Sequence, residues 1–224
     1  MSAATDLLEE IESLLAMIDT SYSESSAAND IYEGYVLALV VDAARRAGAE
    51  VEYRTVLGAV TNDLYFRTSP GLIYSKLHDY SHAVLRFSSC PPLEVHVGVM
   101  VQGRSGVLDE CDVLVLPAKE AQVCRESSVS PRGPASIIAV ECKFYASPVG
   151  IGLARAYHGL QADLGVRFPR FVTNVRSGSV EKYLTHLGRE WENGVIPNTD
   201  ESGYLIASFR EAFKKYQAKN GSAT

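Results

Sequence analysis

Three apolar runs rich in β-branched residues lie in the middle of the chain, and two of them carry charged side chains where a buried strand normally has none. The runs cover residues 93–101, 107–116 and 137–145. Asp112 interrupts the second run, and Glu141 and Lys143 interrupt the third. Because side chains alternate between the two faces of a strand, Glu141 and Lys143 are expected to point the same way. The pattern predicts a β-sheet core with a polar site built into it.

The composition is that of a folded chain. Of the 224 residues 46% are hydrophobic, and the formal net charge is only −6, which excludes disorder for most of the sequence. No apolar run approaches the roughly 20 residues that cross a bilayer, and the N-terminal segment lacks the basic start of a secretory signal. The four cysteines have no CxxC spacing, so we interpret them as reduced thiols. These features predict a cytoplasmic protein without a membrane partner.

Helical periodicity flanks the strands on both sides. It predicts an amphipathic helix within residues 1–20, a second helix over about 29–47, a helix that starts at Ser147-Pro148 and stops before Gly165, and a final helix around 205–216. A fourth strand is expected over residues 168–175. We therefore expect one mixed α/β domain over residues 1–224, with a central mixed sheet of about four strands flanked by helices. Residues 29–175 would form the catalytic core, and residues 176–224 the C-terminal helices.

Four other segments have weaker patterns. Short helices are expected over residues 53–63 and 72–80, and a helix carrying Val180, Leu184, Leu187 and Trp191 is expected to close at Asn193-Gly194. Residues 119–136 are polar, contain Pro131, Gly133 and Pro134, and lack apolar periodicity. That last segment is interpreted either as a functional loop or as an inert hairpin extension.

The charged residues on the strands favour a metal-dependent reaction. If the second and third runs pair, Asp112 lies next to Glu141, and two carboxylates about 4 Å apart repel by roughly 4 kcal/mol at an effective dielectric constant of about 20. A bound Mg²⁺ would offset this repulsion, since it takes one or two carboxylates and keeps several waters. A metal can polarise a phosphoryl oxygen, and Lys143 could position water or stabilise negative charge. The pattern favours metal-assisted hydrolysis of a phosphodiester.

Asp112, followed one strand later by Glu141-Cys142-Lys143, resembles the PD-(D/E)XK nuclease superfamily, although Cys111 stands where the motif has proline. The resemblance covers about residues 29–175 and implies a restriction-endonuclease-like fold. It also implies a Mg²⁺-dependent nuclease, with Mn²⁺ as a possible substitute, that usually acts on DNA. Asp112 and Glu141 would be metal ligands, and Lys143 would position water or stabilise charge. Glu33, on the preceding helix, would be an auxiliary acid.

Weaker signals concern the nucleic acid itself. Residues 143–189 hold seven Lys or Arg residues against two acids, which is compatible with binding double-stranded DNA despite the acidic net charge. Four side chains are candidate nucleic-acid contacts: Arg104, Ser147, His158 and Gln161. Gln161 also loosely matches a polar position that some superfamily members use near the site. We expect a DNA endonuclease of a bacterial defence, restriction or repair system, working as a homodimer or within a larger assembly.

Three alternatives stay open. A catalytically inactive nuclease-fold module could bind protein or nucleic acid, as the acidic first helix and the polar 119–136 segment would allow. A glycoside hydrolase could use Glu110 and Glu141 as paired carboxylates, although the adjacent lysine argues against it. His78 and His82 are four residues apart and could place two zinc ligands on one helix face, but the HExxH pattern is absent and surface or core histidines are favoured.

Overall fold

The structure, a computed structural model, describes residues 3–16 and 18–221. Its helices are α1 (Ala3–Leu14), α2 (Ala28–Arg46), α3 (Ala118–Ser127), α4 (Ile151–Leu164), α5 (Gly178–His186) and α6 (Asp200–Asn220). Its strands are β1 (Asp19–Thr20), β2 (Glu50–Thr55), β3 (Asp63–Leu64), β4 (Ser81–Arg86), β5 (Leu93–Gln102), β6 (Leu108–Pro117), β7 (Ile138–Lys143), β8 (Phe168–Thr173) and β9 (Trp191–Asn193).

The main sheet has seven strands in the order β2-β4-β5-β6-β7-β8-β9. Neighbours from β2 to β7 pair antiparallel, whereas β7, β8 and β9 run parallel. The parallel part requires crossover connections, and α4 and α5 supply them. Strands β1 and β3 form a separate two-stranded parallel sheet. The protein is therefore mixed α/β with a large mixed sheet flanked by helices.

Helix α2 is the centre of the larger core. Twelve of its nineteen residues are buried, and a helix that is apolar around most of its circumference must be covered on more than one side. It packs between the sheet and the helices α1 and α6, in one apolar cluster with the inner faces of β4 to β8. Helices α3 and α4 cover the opposite face, where a smaller apolar cluster includes Leu114, Leu116 and Ala139.

The alternation of faces along β5 and β6 changes at Gly98. Val97 and its partner Val113 belong to the α2-side cluster, whereas Val99 and its partner Cys111 belong to the opposite cluster. Residues two apart in a regular strand share a face. Gly98, between the two valines, has φ of +62°, a conformation that glycine adopts without steric cost. The resulting change of direction occurs at the level of Asp112.

The expected sheet of about four strands was too small, because β2, β4 and β9 are additional members. The short helix expected over 53–63 is wrong, since this segment contains the end of β2, a turn and the start of β3. Strand β4 was missed because five of its six residues are buried, which removes the alternation that identifies a half-exposed strand. No helix occurs in the described residues 72–80.

Three other boundaries differ from expectation. The segment 119–136 is not a loop, since it contains α3, whose buried Ala121 and Cys124 are too few to give a clear apolar stripe. Helix α4 begins at Ile151, after Gly150, rather than at Ser147-Pro148. The helix expected to include Trp191 ends at His186, and Trp191 begins β9.

Most other helices and strands predicted from apolar periodicity are confirmed within the described residues. Helices α2 and α6 and strands β5 to β8 lie where periodicity placed them, and α4 stops before Gly165 in the left-handed conformation. The N-terminal helix ends at Leu14, shorter than expected, while residues 1, 2 and 17 lie outside the described part. The four cysteines are free thiols. No helix in the described ranges is long and apolar enough to span a membrane.

Candidate functional site

Asp112 is a buried carboxylate at the point where β6 and β7 stop pairing. The last recorded residue pair of these strands is Val113 with Val140, and one step further Asp112 lies opposite Glu141. Here the Asp112 side chain takes over from the backbone as acceptor, because its Oδ2 receives a hydrogen bond of 2.6 Å from the Cys142 N–H. This bond fixes the carboxylate beside the end of β7.

Lys143 brings the three strand residues into one cluster. Its Nζ lies 2.7 Å from Glu141 Oε1 and 3.5 Å from Asp112 Oδ2. The side chains of Glu141 and Lys143 are 19% and 25% exposed, so solvent reaches the cluster through them rather than through Asp112. The alternation of β7 and the pairing with β6 therefore assemble Asp112, Glu141 and Lys143 as the sequence predicted.

Glu33 joins this cluster from α2. Burial, followed by the carboxylates of Asp112, Glu110 and Asp30, raises the pKa of Glu33 to about 9, although Lys143 lowers it. Burial and the negative charge of Glu141 likewise raise the pKa of Asp112 to about 7, against the lowering effects of Lys143 and the Cys142 N–H. The helix that fills the larger core thus also supplies an acid to the polar site.

The cluster carries more negative than positive charge. Burial, followed by the charge of Glu141, raises the pKa of Glu110. Burial alone lowers the pKa of Lys143, but Asp112 and Glu141 outweigh this effect and raise it above its ordinary value, so the ammonium stays protonated. The Lys143 ammonium contacts the carboxylates of Asp112 and Glu141, whereas Glu33 and Glu110 interact with it electrostatically. Carboxylate oxygens suit a hard divalent cation such as Mg²⁺, but within the described residues no three of these acids have donor atoms within 4.8 Å of one another.

A small cavity lies beside Glu141. Its volume is about 10 Å³, and Glu110, Glu141, Tyr157 and Gln161 are among the residues that line it. This volume is about what one water molecule occupies. The Gln161 Oε1 is buried and has no hydrogen-bond partner within the described residues. The structure therefore places Gln161 next to the cluster, on α4.

Three other candidate contacts lie outside the cluster. Arg104 packs on the end of α4, where its Nη1 donates to the Ala162 carbonyl at 3.4 Å. His158 Nδ1 accepts a hydrogen bond of 3.1 Å from Arg189 Nε. Ser147 is exposed and stands four residues before α4, so it does not cap this helix, and its contact with nucleic acid stays a prediction.

The sequence interpretation missed a second charged cluster, on β4 and β5. His82, Glu94 and His96 are all buried, and the Arg125 guanidinium donates to both oxygens of Glu94 at 2.7 and 2.8 Å. Burial lowers the pKa of His82 to about 3 and also lowers that of His96. Burial raises the pKa of Glu94, but hydrogen bonds from Arg125 and His96 outweigh it and hold the pKa well below its ordinary value.

A signal for this second cluster was present in the sequence. Glu94 and His96 are polar residues two apart in an apolar strand, the same pattern that identified Glu141 and Lys143. His78 and His82 do not share a helix face, and they are a surface and a core histidine as favoured: His82 is buried on β4, whereas His78 is exposed on an irregular segment and stacks on Tyr65. Comparison of the chain with protein-family models, curated proteins and solved structures finds no match.

Proposed function

We propose that this protein is a Mg²⁺-dependent nuclease of the PD-(D/E)XK type that hydrolyses phosphodiester bonds, with DNA as the substrate and internal cleavage as the mode. The observation that carries the proposal is the contact of the Lys143 ammonium with the carboxylates of both Asp112 and Glu141. The two carboxylates would hold a cation, and the ammonium of Lys143 places a positive charge beside them at a partly solvent-accessible position.

Asp112 and Glu141 would hold the cation, and the raised pKa values of Asp112 and Glu33 support this assignment. A carboxyl group that is costly to ionise alone becomes favourable to ionise next to a divalent cation. When bound, Mg²⁺ or Mn²⁺ supplies Lewis-acid polarisation and counter-charge to a phosphoryl group. Glu33, on the other side of the cluster, would complete the acidic surroundings or hold a proton.

Lys143 would stabilise developing negative charge rather than act as a base. Its two carboxylate neighbours keep the amine protonated, so the neutral form required of a general base is rare near pH 7. A protonated amine close to the scissile phosphate favours the transition state electrostatically. Gln161 and the adjacent water-sized cavity would position the attacking water.

The proposed path of the DNA backbone passes the tip of the β5–β6 hairpin. A cavity of about 500 Å³ there is lined by Arg104 and Arg132. Gln102 also lines this cavity, and its pair with Leu108 is two residue pairs along the hairpin from the pair of Met100 with Glu110. At the rise of a strand, these two pairs are about 7 Å apart. Arg104 and Arg132, which line this cavity, would contact phosphates further along the same DNA strand.

The direct test is cleavage of supercoiled plasmid DNA with Mg²⁺, with Mn²⁺ and with EDTA. We expect nicked and linear products only with the divalent cations, and a loss of at least about 100-fold in rate for Lys143→Ala. Lys214→Ala removes an exposed lysine on α6, outside residues 143–189, and serves as the matched control. Equal cleavage by the wild-type and Lys143→Ala proteins would remove Lys143 from the mechanism.

The proposal also includes assembly into a dimer or a larger complex, and a role in bacterial defence, restriction or repair.

The second candidate is a non-catalytic nuclease-fold module. Two observations favour it. Lys143 already neutralises part of the carboxylate charge, and Asp112 is buried. In that case calorimetry would detect no Mg²⁺ or Mn²⁺ binding, and plasmid DNA would stay intact under every metal condition.

A further inference from the structure

The cluster on β4 and β5 has the arrangement of a three-ligand metal site. Ala83 pairs with Val95, so His82 lies opposite His96 in the antiparallel register. Glu94 is two residues from His96 and shares its face. Three potential ligands therefore project from neighbouring strands of a buried part of the sheet, where backbone hydrogen bonds fix their spacing.

The ligand atoms are already close together. One atom from each of His82, Glu94 and His96 lies within 4.8 Å of the others, and this is the only such group of three His, Cys, Asp or Glu residues in the described part of the chain. His96 Nε2 lies 2.9 Å from Glu94 Oε2, and His82 Nε2 lies 3.5 Å from the same oxygen. The imidazole rings stack with centroids 4.7 Å apart. We propose that His82, Glu94 and His96 bind one divalent transition-metal cation, with Zn²⁺ as the best match.

The donor set distinguishes this site from the carboxylate cluster. Two imidazole nitrogens and one carboxylate oxygen suit zinc and its neighbours, whereas Mg²⁺ prefers oxygen donors. Zinc takes these ligands at about 2.0–2.2 Å, so donor atoms around it are about 3.3 Å apart in tetrahedral geometry. The two recorded separations from Glu94 Oε2, 2.9 and 3.5 Å, bracket this value, and the stacked imidazole rings would have to turn so that both Nε2 atoms point at the cation.

Arg125 orients the ligating carboxylate from outside. Because an ionised carboxylate only accepts hydrogen bonds, His96 Nε2 donates the proton in its contact with Glu94 Oε2. Ligation through Nε2 would require the other neutral tautomer, in which the proton has moved to Nδ1, and Oε2 would keep its bond from Arg125 Nη1. Hydrogen-bonded partners of this kind commonly position the ligands of metal sites. The positive charge of Arg125 opposes the cation, so we expect a dissociation constant in the micromolar range rather than that of a closed structural zinc site.

Two of the three ligands can be reached from solvent. A cavity of about 230 Å³ is lined by His82 and Glu94 together with Arg54, Arg86 and Arg125. It provides an entry path, and the three protein ligands leave a fourth position open for water or a small ligand. The proposal shares no residue with the carboxylate cluster and does not depend on nuclease activity.

The test is zinc binding by the intact protein, measured by calorimetry and by metal analysis after gel filtration. We expect one Zn²⁺ per chain in the wild type, and affinity lowered by about 100-fold or more in His82→Gln and in His96→Gln, since each removes a ligand. His78→Gln, an exposed histidine, and Asp112→Asn, in the other cluster, should keep full zinc binding. Circular dichroism establishes that each variant is folded.

A measurement on the wild type alone keeps the proposal testable if a variant fails to fold. X-ray absorption at the zinc edge should give two imidazole ligands, and the Co²⁺-substituted protein should show the intense visible absorption of four-coordinate cobalt. No stoichiometric zinc in the wild type would overturn the proposal. Zinc retained at full affinity by both histidine variants, or a zinc edge without imidazole, would also overturn it.

Discussion

The Cys142 N–H donates a hydrogen bond of 2.6 Å to Oδ2 of Asp112, at the position where the β6–β7 pairing ends. The bond couples the orientation of a buried carboxylate to the backbone of the strand that carries Glu141 and Lys143. A side chain held in this way needs little reordering to bind a cation, which lowers the entropic cost of binding.

Asp112→Asn should separate folding from metal binding. The asparagine can still accept from the Cys142 N–H through its carbonyl oxygen, while the carboxyl whose pKa is raised to about 7 is gone. At pH 8 in EDTA the wild type must ionise this buried carboxyl, so we expect the variant to be more stable by about 1–2 kcal/mol, with loss of the Lys143 contact offsetting the rest of the effect of the raised pKa. Denaturant unfolding measures this difference. The same variant should lose the stabilisation that Mg²⁺ gives the wild type, and a destabilised variant would contradict the charge argument.

The metal-free protein should lose stability as the pH rises from 7 to 8. The folded-state pKa of Glu33 is about 9, against an ordinary value of 4.5, so the folded protein keeps a proton that the unfolded chain has released. Stability then falls with pH, by at most about 1.4 kcal/mol per unit and by about 1 kcal/mol over this interval. Unfolding in EDTA at the two pH values measures the slope.

Glu33→Gln is the control for that pH dependence. Glutamine does not titrate, so the slope between pH 7 and 8 should become shallower by most of the wild-type change. Mg²⁺ should also flatten the slope in the wild type, because it favours the ionised carboxylates. A slope that is the same in both proteins would show that Glu33 is already ionised in the folded protein at pH 7, so that its pKa is not raised.

Lys143→Met should bind divalent cations more tightly while losing activity. The ammonium competes with a cation for Asp112 and Glu141, which lie 3.5 and 2.7 Å from it. Because the site is partly exposed, we expect only about threefold to tenfold tighter Mn²⁺ binding, or about 0.7–1.4 kcal/mol. Calorimetry checks the affinity. Weaker binding would indicate that Lys143 organises the carboxylates instead of competing with the cation.

Arg125→Leu should strongly destabilise the protein. It would leave Glu94 buried without its bidentate partner, and breaking a buried ion pair costs about 3–5 kcal/mol. Arg86→Leu, whose contact with the partly exposed Glu52 is 3.8 Å, should cost less than about 1 kcal/mol. The Glu94→Gln, Arg125→Leu double variant should recover most of the loss. Urea unfolding of all three variants tests the prediction, which fails if Arg125→Leu and Arg86→Leu are equally stable.

Two glycine substitutions should have opposite effects. A Cβ on Gly133 would lie 2.1 Å from the backbone carbonyl oxygen of Leu164, so Gly133→Ala should cost about 1–3 kcal/mol through overpacking. A Cβ on Gly159, in α4, meets nothing within 4 Å, and Gly159→Ala should stabilise by about 0.5–1 kcal/mol through helix propensity. Thermal unfolding compares the two. A Gly133→Ala protein as stable as the wild type would mean that α4 can shift away from the turn before β7.

Local pattern accounts for part of the carboxylate site. The alternation of β7 places Glu141 and Lys143 side by side, since this depends only on strand geometry. The contact with Asp112 depends on the β6–β7 register, which is set by apolar pairs such as Val113 with Val140. Glu33 is brought in by the packing of α2 on the sheet, a contact between residues far apart in the sequence.

The apolar periodicity of this chain was sufficient to determine its main strands and helices, because a buried face repeats every two or every 3.6 residues whatever lies across from it. Only the tertiary structure decided how many strands join the sheet, that residues 118–127 are helical, and that His82 meets Glu94 and His96. The reason is that these features are stabilised by contacts across the sheet and between its layers. The residue pattern within each segment does not indicate which distant segment it will contact.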